Sequence, residues 1–212
     1  MSHMRILLVD DHEMLRKGLR TTVESQPGWE VCGEARTGRE AVAKVGELHP
    51  DIVIMDFGMP DLNGIEATRQ IRATAPGTEV LILSMHQTER LVREVLAAGA
   101  HGYLLKTDSG EFLISALKAL AAHQPFFTPQ ISAVVLQGYL KPEVHKGDDL
   151  TPREREILQL IAEGKATKQV ADLLGISVKT ADTHRTNLMR KLKLHSTAEL
   201  VRYAIRNQIS QV

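Results

Sequence analysis

The chain has 212 residues, 43% hydrophobic and 25% charged, a composition typical of a water-soluble protein with one large or two ordinary domains. A single cysteine, Cys32, excludes a disulfide framework, and the absence of a signal peptide or of an apolar run near 20 residues indicates a cytoplasmic protein that does not enter the membrane. The net charge is zero, but its two parts differ: residues 1–149 hold 15 Lys and Arg against 20 Asp and Glu, whereas residues 150–212 hold 11 against 6. The basic second part suits a polyanionic partner; the alternative is that the imbalance arose by chance.

Residues 4–122 alternate five apolar runs with five helical patterns. The predicted strands are 5–9, 31–34, 51–56, 80–84 and 102–106. The predicted helices are 12–24, 37–48, 64–74, 87–98 and 108–122. This alternation predicts a flavodoxin-like, doubly wound parallel five-stranded α/β sheet with strand order 2-1-3-4-5. In that order the first and third strands are neighbours, and ligands bind at their carboxyl ends.

Carboxylates end both of these neighbouring strands. Asp10 and Asp11 follow the first strand, and Asp56 ends the third, whose apolar run Ile52–Met55 predicts burial on both faces. Three converging carboxylates repel one another, so we expect a Mg²⁺ ion there, with the backbone carbonyl of Gly58 as a further ligand. We interpret Asp56 as a nucleophile that accepts a phosphoryl group. The metal would reduce the repulsion between the Asp56 carboxylate and the incoming phosphoryl group.

Ser84 and Lys106 end the two following strands, so both side chains would reach the same crevice. A hydroxyl and an ammonium are suitable partners for phosphoryl oxygens. Each residue alone is also compatible with a solvated strand end, and Asp56 alone with a turn. The combination of all five side chains, at the ends of four neighbouring strands, favours a phosphoryl site.

These residues belong to a larger set of motifs. The set comprises Asp10-Asp11, Asp56 followed by Met59-Pro60 and Gly64, Ser84, and Gly99-Ala100-x-Gly102-Tyr103-x-x-Lys106. Together they resemble a response-regulator receiver domain over residues 4–122.

The resemblance implies a role for each matching residue. Asp10, Asp11 and Asp56 would bind Mg²⁺, and Asp56 would take its phosphoryl group from a phosphohistidine of a sensor histidine kinase. Lys106 would contact the phosphate, and Ser84 and Tyr103 would act as the switch hydroxyl and the switch aromatic. Without the resemblance, the strand pattern indicates only a half-buried tyrosine at Tyr103.

Residues 123–149 are predicted to link two domains. The segment His123–Pro129 breaks the preceding helix, and residues 131–140 form a short helix that packs on one domain or pairs with a second subunit. Residues 141–149 are charged and contain Pro and Gly, which is typical of a flexible linker.

Residues 150–212 predict an all-α, four-helix domain. Thr151 to Glu154 form a capping box for the first helix, which ends near Glu163. A helix at 167–174 and a helix from the Ser177 cap to about Lys191 or Lys193 are joined by a tight glycine turn, which predicts a helix-turn-helix. A last helix covers 197–207. The basic third helix suits a DNA major groove, although charge alone would also fit a solvated face of a small bundle.

Motifs in this half strengthen the DNA-binding interpretation. The segments Leu150–Glu156, Ile161–Lys165, Val170–Thr180, Thr183-His184 and Lys191-Leu192 resemble a LuxR-type DNA-binding domain, and the whole chain resembles a NarL/FixJ-type response regulator. The resemblance implies base contacts by Lys179, Asp182, Thr183 and Thr186. It implies phosphate contacts by Thr180, Arg185 and Lys191. It also implies a homodimer on double-stranded promoter DNA, with RNA polymerase as a candidate partner.

The sequence therefore predicts a phosphorylation-switched, dimeric transcription regulator, which is no enzyme apart from catalysing its own phosphoryl acceptance and dephosphorylation. One alternative is a DNA-binding regulator that works without phosphorylation and whose receiver only dimerises. Another is a Mg²⁺-dependent aspartyl phosphotransfer enzyme, which would leave the helix-turn-helix unexplained.

Overall fold

The computed structural model describes residues 3–140 and 150–210, without the side chains of residues 137–140. The chain forms two compact units, an N-terminal α/β unit and a C-terminal helical unit. Over the described ranges, every helix is too short or too polar to cross a lipid bilayer.

The N-terminal unit is built on a parallel sheet. Within residues 3–140 its strands are β1 (Met4–Val9), β2 (Trp29–Ala35), β3 (Ile52–Asp56), β4 (Glu79–Ser84), β5 (Gly102–Leu105) and β6 (Phe126–Phe127). Its helices are α1 (Glu13–Glu24), α2 (Gly38–Leu48), α3 (Gly64–Thr74), α4 (Glu89–Ala97), α5 (Gly110–Ala121) and α6 (Pro129–Leu140). The strand order is β2-β1-β3-β4-β5-β6, so the predicted order is confirmed and one edge strand is added.

Helices pack on the sheet and bury the apolar side chains of its central strands. β3 and β4 are buried along their whole length, as the uninterrupted apolar runs predict. Leu8 and Ile54 belong to one core cluster with Val23 of α1 and Leu117 of α5, and all four are fully buried. Burial of each such side chain stabilises the fold by roughly 1.5–3 kcal/mol. Because β1 and β3 are paired in parallel, their carboxyl ends lie side by side.

The sixth strand comes from the segment predicted as a linker. Phe126 and Phe127 pair with Gly102 and Tyr103 of β5, and the Phe126 N–H donates to the His101 carbonyl oxygen over 2.9 Å. The helix predicted at 131–140 follows as α6 and packs on α4, with both elements inside the N-terminal unit. The predicted flexible stretch, 141–149, lies outside the described residues.

The C-terminal unit consists, over residues 150–210, of four helices. They are α7 (Pro152–Ala162), α8 (Thr167–Leu174), α9 (Val178–Leu192) and α10 (Thr197–Arg206). The predicted capping box is present, because the Thr151 hydroxyl accepts the Glu154 N–H and the Glu154 carboxylate accepts the Thr151 N–H. Gly175 ends α8 in the left-handed conformation, at a φ of 62°, where a glycine is favoured. The buried side chains of all four helices form one core.

Candidate functional site

Buried carboxylates meet at the carboxyl ends of β1 and β3. Asp10 is fully buried and Asp56 is 3% exposed. The Lys106 Nζ lies 2.8 Å from a carboxylate oxygen of each. Asp11 lies beside them at the surface, and one ligand atom from each Asp and from His12 lies within 4.8 Å of the others. The structure thus brings the three predicted carboxylates and the predicted lysine together.

Close packing against the start of α3 holds the end of β3. The Gly64 N–H donates to the Phe57 carbonyl oxygen over 3.0 Å. A Cβ on Gly64 would lie 2.3 Å from the Asp56 carbonyl oxygen, so a larger residue would displace this backbone. The Gly58 N–H donates to Asp56 Oδ1 over 3.3 Å. The Gly58 N–H therefore orients the Asp56 carboxylate, the start of α3 holds the backbone beside it, and the Gly58 carbonyl predicted as a metal ligand belongs to the same turn.

The crevice holds more negative than positive charge. Burial raises the pKa of Asp56, the neighbouring Asp10 raises it further, and the hydrogen bond from Lys106 opposes both effects. Burial disfavours the charged form of Lys106, but its hydrogen bonds to Asp10 and Asp56 prevail and raise the pKa of the ammonium. The lysine is therefore charged at neutral pH, and the surplus of carboxylates attracts cations.

The predicted switch residues Ser84 and Tyr103 share a neighbour. Ser84 is buried at the end of β4, and its hydroxyl accepts the His86 N–H over 3.0 Å. Tyr103 is fully buried, its hydroxyl donates to the His86 carbonyl oxygen, and burial raises the pKa of Tyr103 to about 12. The strand pattern alone indicates a half-buried tyrosine, and the complete burial corrects that expectation. Both residues thus contact the segment that leads from β4 into α4.

Two residues of the crevice are absent from the sequence-based prediction. The His12 N–H donates to Asp10 Oδ1 over 2.7 Å, and its ring Nδ1 lies 3.2 Å from the same oxygen. Arg16 is 3% exposed and donates from Nη1 to the Asp10 carbonyl oxygen over 2.7 Å. A signal for Arg16 exists in the sequence, because it shares an inward helical stripe with Leu19 and Val23, where a charged side chain is unusual.

The predicted DNA contacts all lie on α9. Its exposed residues include Lys179, Thr180, Asp182, Thr183, Thr186 and Lys191, and Arg185 is half-buried. Ala181 and Leu188 face the core. Helical spacing predicts that Val178 faces inward, but this first residue of α9 is 50% exposed. The helix therefore offers a polar surface with one apolar side chain at its start.

Both basic side chains that are predicted to contact phosphate have partners within the C-terminal unit. Arg185 Nη2 donates to Thr197 Oγ1 over 2.7 Å, and the Lys191 Nζ lies 2.8 Å from Glu154 Oε2. Burial opposes ionisation of Glu154, but the hydrogen bonds from Lys191 and from Thr151 prevail and lower the pKa of this carboxyl. A phosphate contact by Lys191 would therefore compete with an existing ion pair.

Comparison with known proteins identifies both halves of the chain. The response regulator receiver domain family matches residues 6–118, and the family of bacterial regulatory proteins of the luxR type matches residues 148–204. The response regulator protein VraR of Staphylococcus aureus is 36% identical over 208 residues, which cover 98% of this chain and 99% of that protein.

Solved structures show the same likeness. A LuxR-family two-component response regulator from Aurantimonas is 37% identical, with a TM-score of 0.63 over 66% of this chain and 100% of that chain. RcsB from Salmonella enterica serovar Typhimurium, solved bound to a promoter in the presence of the phosphomimetic BeF3−, is 26% identical, with a TM-score of 0.64 over 95% of this chain and 98% of that chain. The chain therefore belongs to the two-component response regulators that join a receiver domain to a LuxR-type DNA-binding domain.

Proposed function

We propose that phosphorylation of Asp56 by a sensor histidine kinase switches this response regulator into a dimer that binds promoter DNA. The observation that carries the proposal is the buried pair of Asp10 and Asp56 carboxylates, each 2.8 Å from the Lys106 ammonium. Burying ions at the carboxyl ends of central strands costs free energy that apolar side chains would not cost, so stability alone does not account for them. We assign the receiver to residues 4–122, the DNA-binding domain to 150–212 and the link between them to 123–149.

The donor set fits a magnesium ion. Three carboxylates share the crevice with one ammonium, which leaves a negative charge for a divalent cation, and carboxylate oxygens are the ligands that Mg²⁺ prefers. Asp10, Asp11 and Asp56 would hold the ion, with the Gly58 carbonyl as a further ligand. When bound, Mg²⁺ would reduce the repulsion between the Asp56 carboxylate and an incoming phosphoryl group.

Asp56 supplies the nucleophile. One of its carboxylate oxygens attacks the phosphorus of the kinase phosphohistidine, so that an acyl O–P bond forms while the N–P bond breaks and the imidazole leaves. The Lys106 ammonium and the Ser84 hydroxyl then contact the phosphoryl oxygens. The receiver would catalyse this transfer and the later hydrolysis of the acyl phosphate, and we propose no other enzymatic activity.

A shift of Ser84 would alter the segment before α4. Ser84 and Tyr103 both bond to His86, so a phosphoryl group that attracts the Ser84 hydroxyl changes the partners of that segment. This is a two-state equilibrium biased by local charge.

The C-terminal unit would read DNA with α9. We propose base contacts by Lys179, Asp182, Thr183 and Thr186. We propose phosphate contacts by Thr180, Arg185 and Lys191. Support comes from the exposure of this helix face and from RcsB, which has been solved as two dimers bound to two parallel DNAs.

Dimerisation would use α10, where Ile205 is 43% exposed. Two copies would then bind two half-sites. As a regulator of transcription the protein would act in the cytoplasm, with RNA polymerase as a candidate partner.

Phosphoryl labelling of the intact chain tests the site. Incubation with phosphoramidate and Mg²⁺ should add one phosphoryl group by intact mass, and Asp56→Asn should abolish the addition. Asp51→Asn is a matched control, because Asp51 is an exposed aspartate beside the opposite end of β3 and should not affect labelling. Labelling of Asp56→Asn at another residue would contradict the assignment.

A further inference from the structure

Arg16 is a buried cation joined directly to the backbone of the acidic crevice. Its side chain is 4% exposed, its Nη1 donates to the Asp10 carbonyl oxygen over 2.7 Å, and its Nε donates to Glu34 Oε2 over 3.1 Å. Glu34 lies on β2 and also accepts two hydrogen bonds from Arg20, a half-exposed side chain one turn further along α1. The buried guanidinium is therefore both neutralised and fixed in direction.

The hydrogen bond from Arg16 restrains the peptide between two of the proposed metal ligands. The Asp10 carbonyl belongs to the peptide that joins Asp10 to Asp11, and a planar peptide fixed at its oxygen cannot rotate freely. On its other side the Asp10 N–H is fixed by the Ala35 carbonyl, over 3.2 Å. At the carbonyl end, within the part of the chain that the structure describes, the hydrogen bond comes from the Arg16 side chain of α1. Arg16 therefore restrains the backbone from which both carboxylate side chains leave the chain.

We propose that Arg16 is a positioning residue for the divalent cation, which holds the Asp10–Asp11 peptide so that both carboxylates face the crevice. This inference rests on the proposed magnesium site. Arg16 touches neither the cation nor the phosphoryl group, and it acts through the backbone. Residues that orient metal ligands in this way typically change metal affinity about 10- to 100-fold when they are replaced.

The test is direct metal binding by the full-length chain. Mn²⁺, which electron paramagnetic resonance detects, is titrated into the unaltered protein, Arg16→Met and Arg20→Met. Arg16→Met should bind about tenfold more weakly. Arg20→Met removes the other arginine on Glu34 but keeps the bond to Asp10, so its affinity should stay within about twofold. Phosphorylation by phosphoramidate should distinguish the two variants in the same way. Arg16→Met should need a higher Mg²⁺ concentration than the unaltered protein and should regain its rate at saturating Mg²⁺, whereas Arg20→Met should need no more Mg²⁺ than the unaltered protein.

Each outcome decides the matter. Unchanged Mn²⁺ affinity in Arg16→Met, or an equal loss in Arg20→Met, would overturn the role of Arg16 and leave the proposed function intact. If the unaltered chain binds no divalent cation, the proposed magnesium site fails and the role of Arg16 fails with it. If Arg16→Met does not fold, Arg16→Gln replaces it, because the shorter amide cannot reach the Asp10 carbonyl, and wild-type affinity in that variant would likewise overturn the proposal.

Discussion

Replacing Gly64 by alanine should damage the phosphoryl site through the backbone alone. The new Cβ would lie 2.3 Å from the Asp56 carbonyl oxygen and 3.1 Å from the Phe57 Cα, both main-chain atoms that cannot move away as a flexible side chain would. Overpacking of this kind costs about 1–3 kcal/mol. Gly64→Ala should lose that much free energy of unfolding and should be phosphorylated more slowly, because the start of α3 pushes on the residue that carries the nucleophile.

Two other glycines provide controls of the opposite sign. Gly18 and Gly46 lie inside α1 and α2, and a Cβ on either would meet no atom within 4 Å. Alanine there should raise the free energy of unfolding by about 0.5–1 kcal/mol, because alanine favours a helix more than glycine does.

Urea unfolding followed by Trp29 fluorescence measures all three variants, since this sole tryptophan of the sequence lies on β2 in the N-terminal unit. A Gly64→Ala protein within about 0.5 kcal/mol of wild type, phosphorylated at an unchanged rate, would refute the packing argument.

Three further results are expected. Burial and Asp10 raise the pKa of Asp56, so the folded protein holds the Asp56 proton more tightly than the unfolded chain does. Protonated Asp56 therefore contributes its full share to the free energy of unfolding below the ordinary value of 3.8, and that share is lost as pH rises through the raised pKa. Asp56→Asn should therefore gain stability over wild type as pH rises from 4 to 7 in metal-free buffer, and a gain that does not grow with pH would contradict this. Glu154→Gln removes the carboxylate 2.8 Å from Lys191 and should tighten binding to any DNA, by up to about fivefold at low salt, in a fluorescence anisotropy titration; unchanged affinity would show that the pair does not compete with phosphate. Lys179→Ala should lose about 1–3 kcal/mol on specific DNA only, whereas Arg185→Ala should weaken specific and random DNA alike, and equal losses for Lys179→Ala on both DNAs would exclude base recognition.

In the N-terminal unit, the strands and the residues at their ends can be predicted from sequence, because a short run of residues determines each of them. The run Ile52–Asp56 is apolar up to its last residue, which is acidic. That pattern is typical of a central strand that is buried on both faces and ends at the crevice, so the strand and the position of the Asp56 carboxylate can both be predicted from sequence. The strand order and the family are confirmed by the sheet and by the comparisons. The roles of the individual site residues remain predictions.

The remaining features depend on tertiary contacts that no short pattern reveals. Phe126–Phe127 is too short to show alternation and lies between Pro125 and Pro129, so the sequence indicates only the end of the preceding helix. In the structure these two residues pair with β5 as a strand. Tyr103 is fully buried and its hydroxyl donates to the carbonyl oxygen of His86, a partner 17 residues away that the strand pattern does not reveal. Arg16 appears as an inconsistency on an apolar stripe, but its partner carbonyl is visible only in the folded protein.

The central claim is that phosphorylation at Asp56 controls DNA binding through assembly. The most direct measurement is the molar mass by light scattering, with and without phosphoramidate and Mg²⁺, together with DNA affinity in the same samples. The proposed function predicts a rise from monomer to dimer mass and tighter binding to specific DNA, both absent in Asp56→Asn. If Asp56 is labelled while mass and affinity stay unchanged, the two domains are not coupled as proposed, and a regulator that binds DNA independently of phosphorylation becomes the better account.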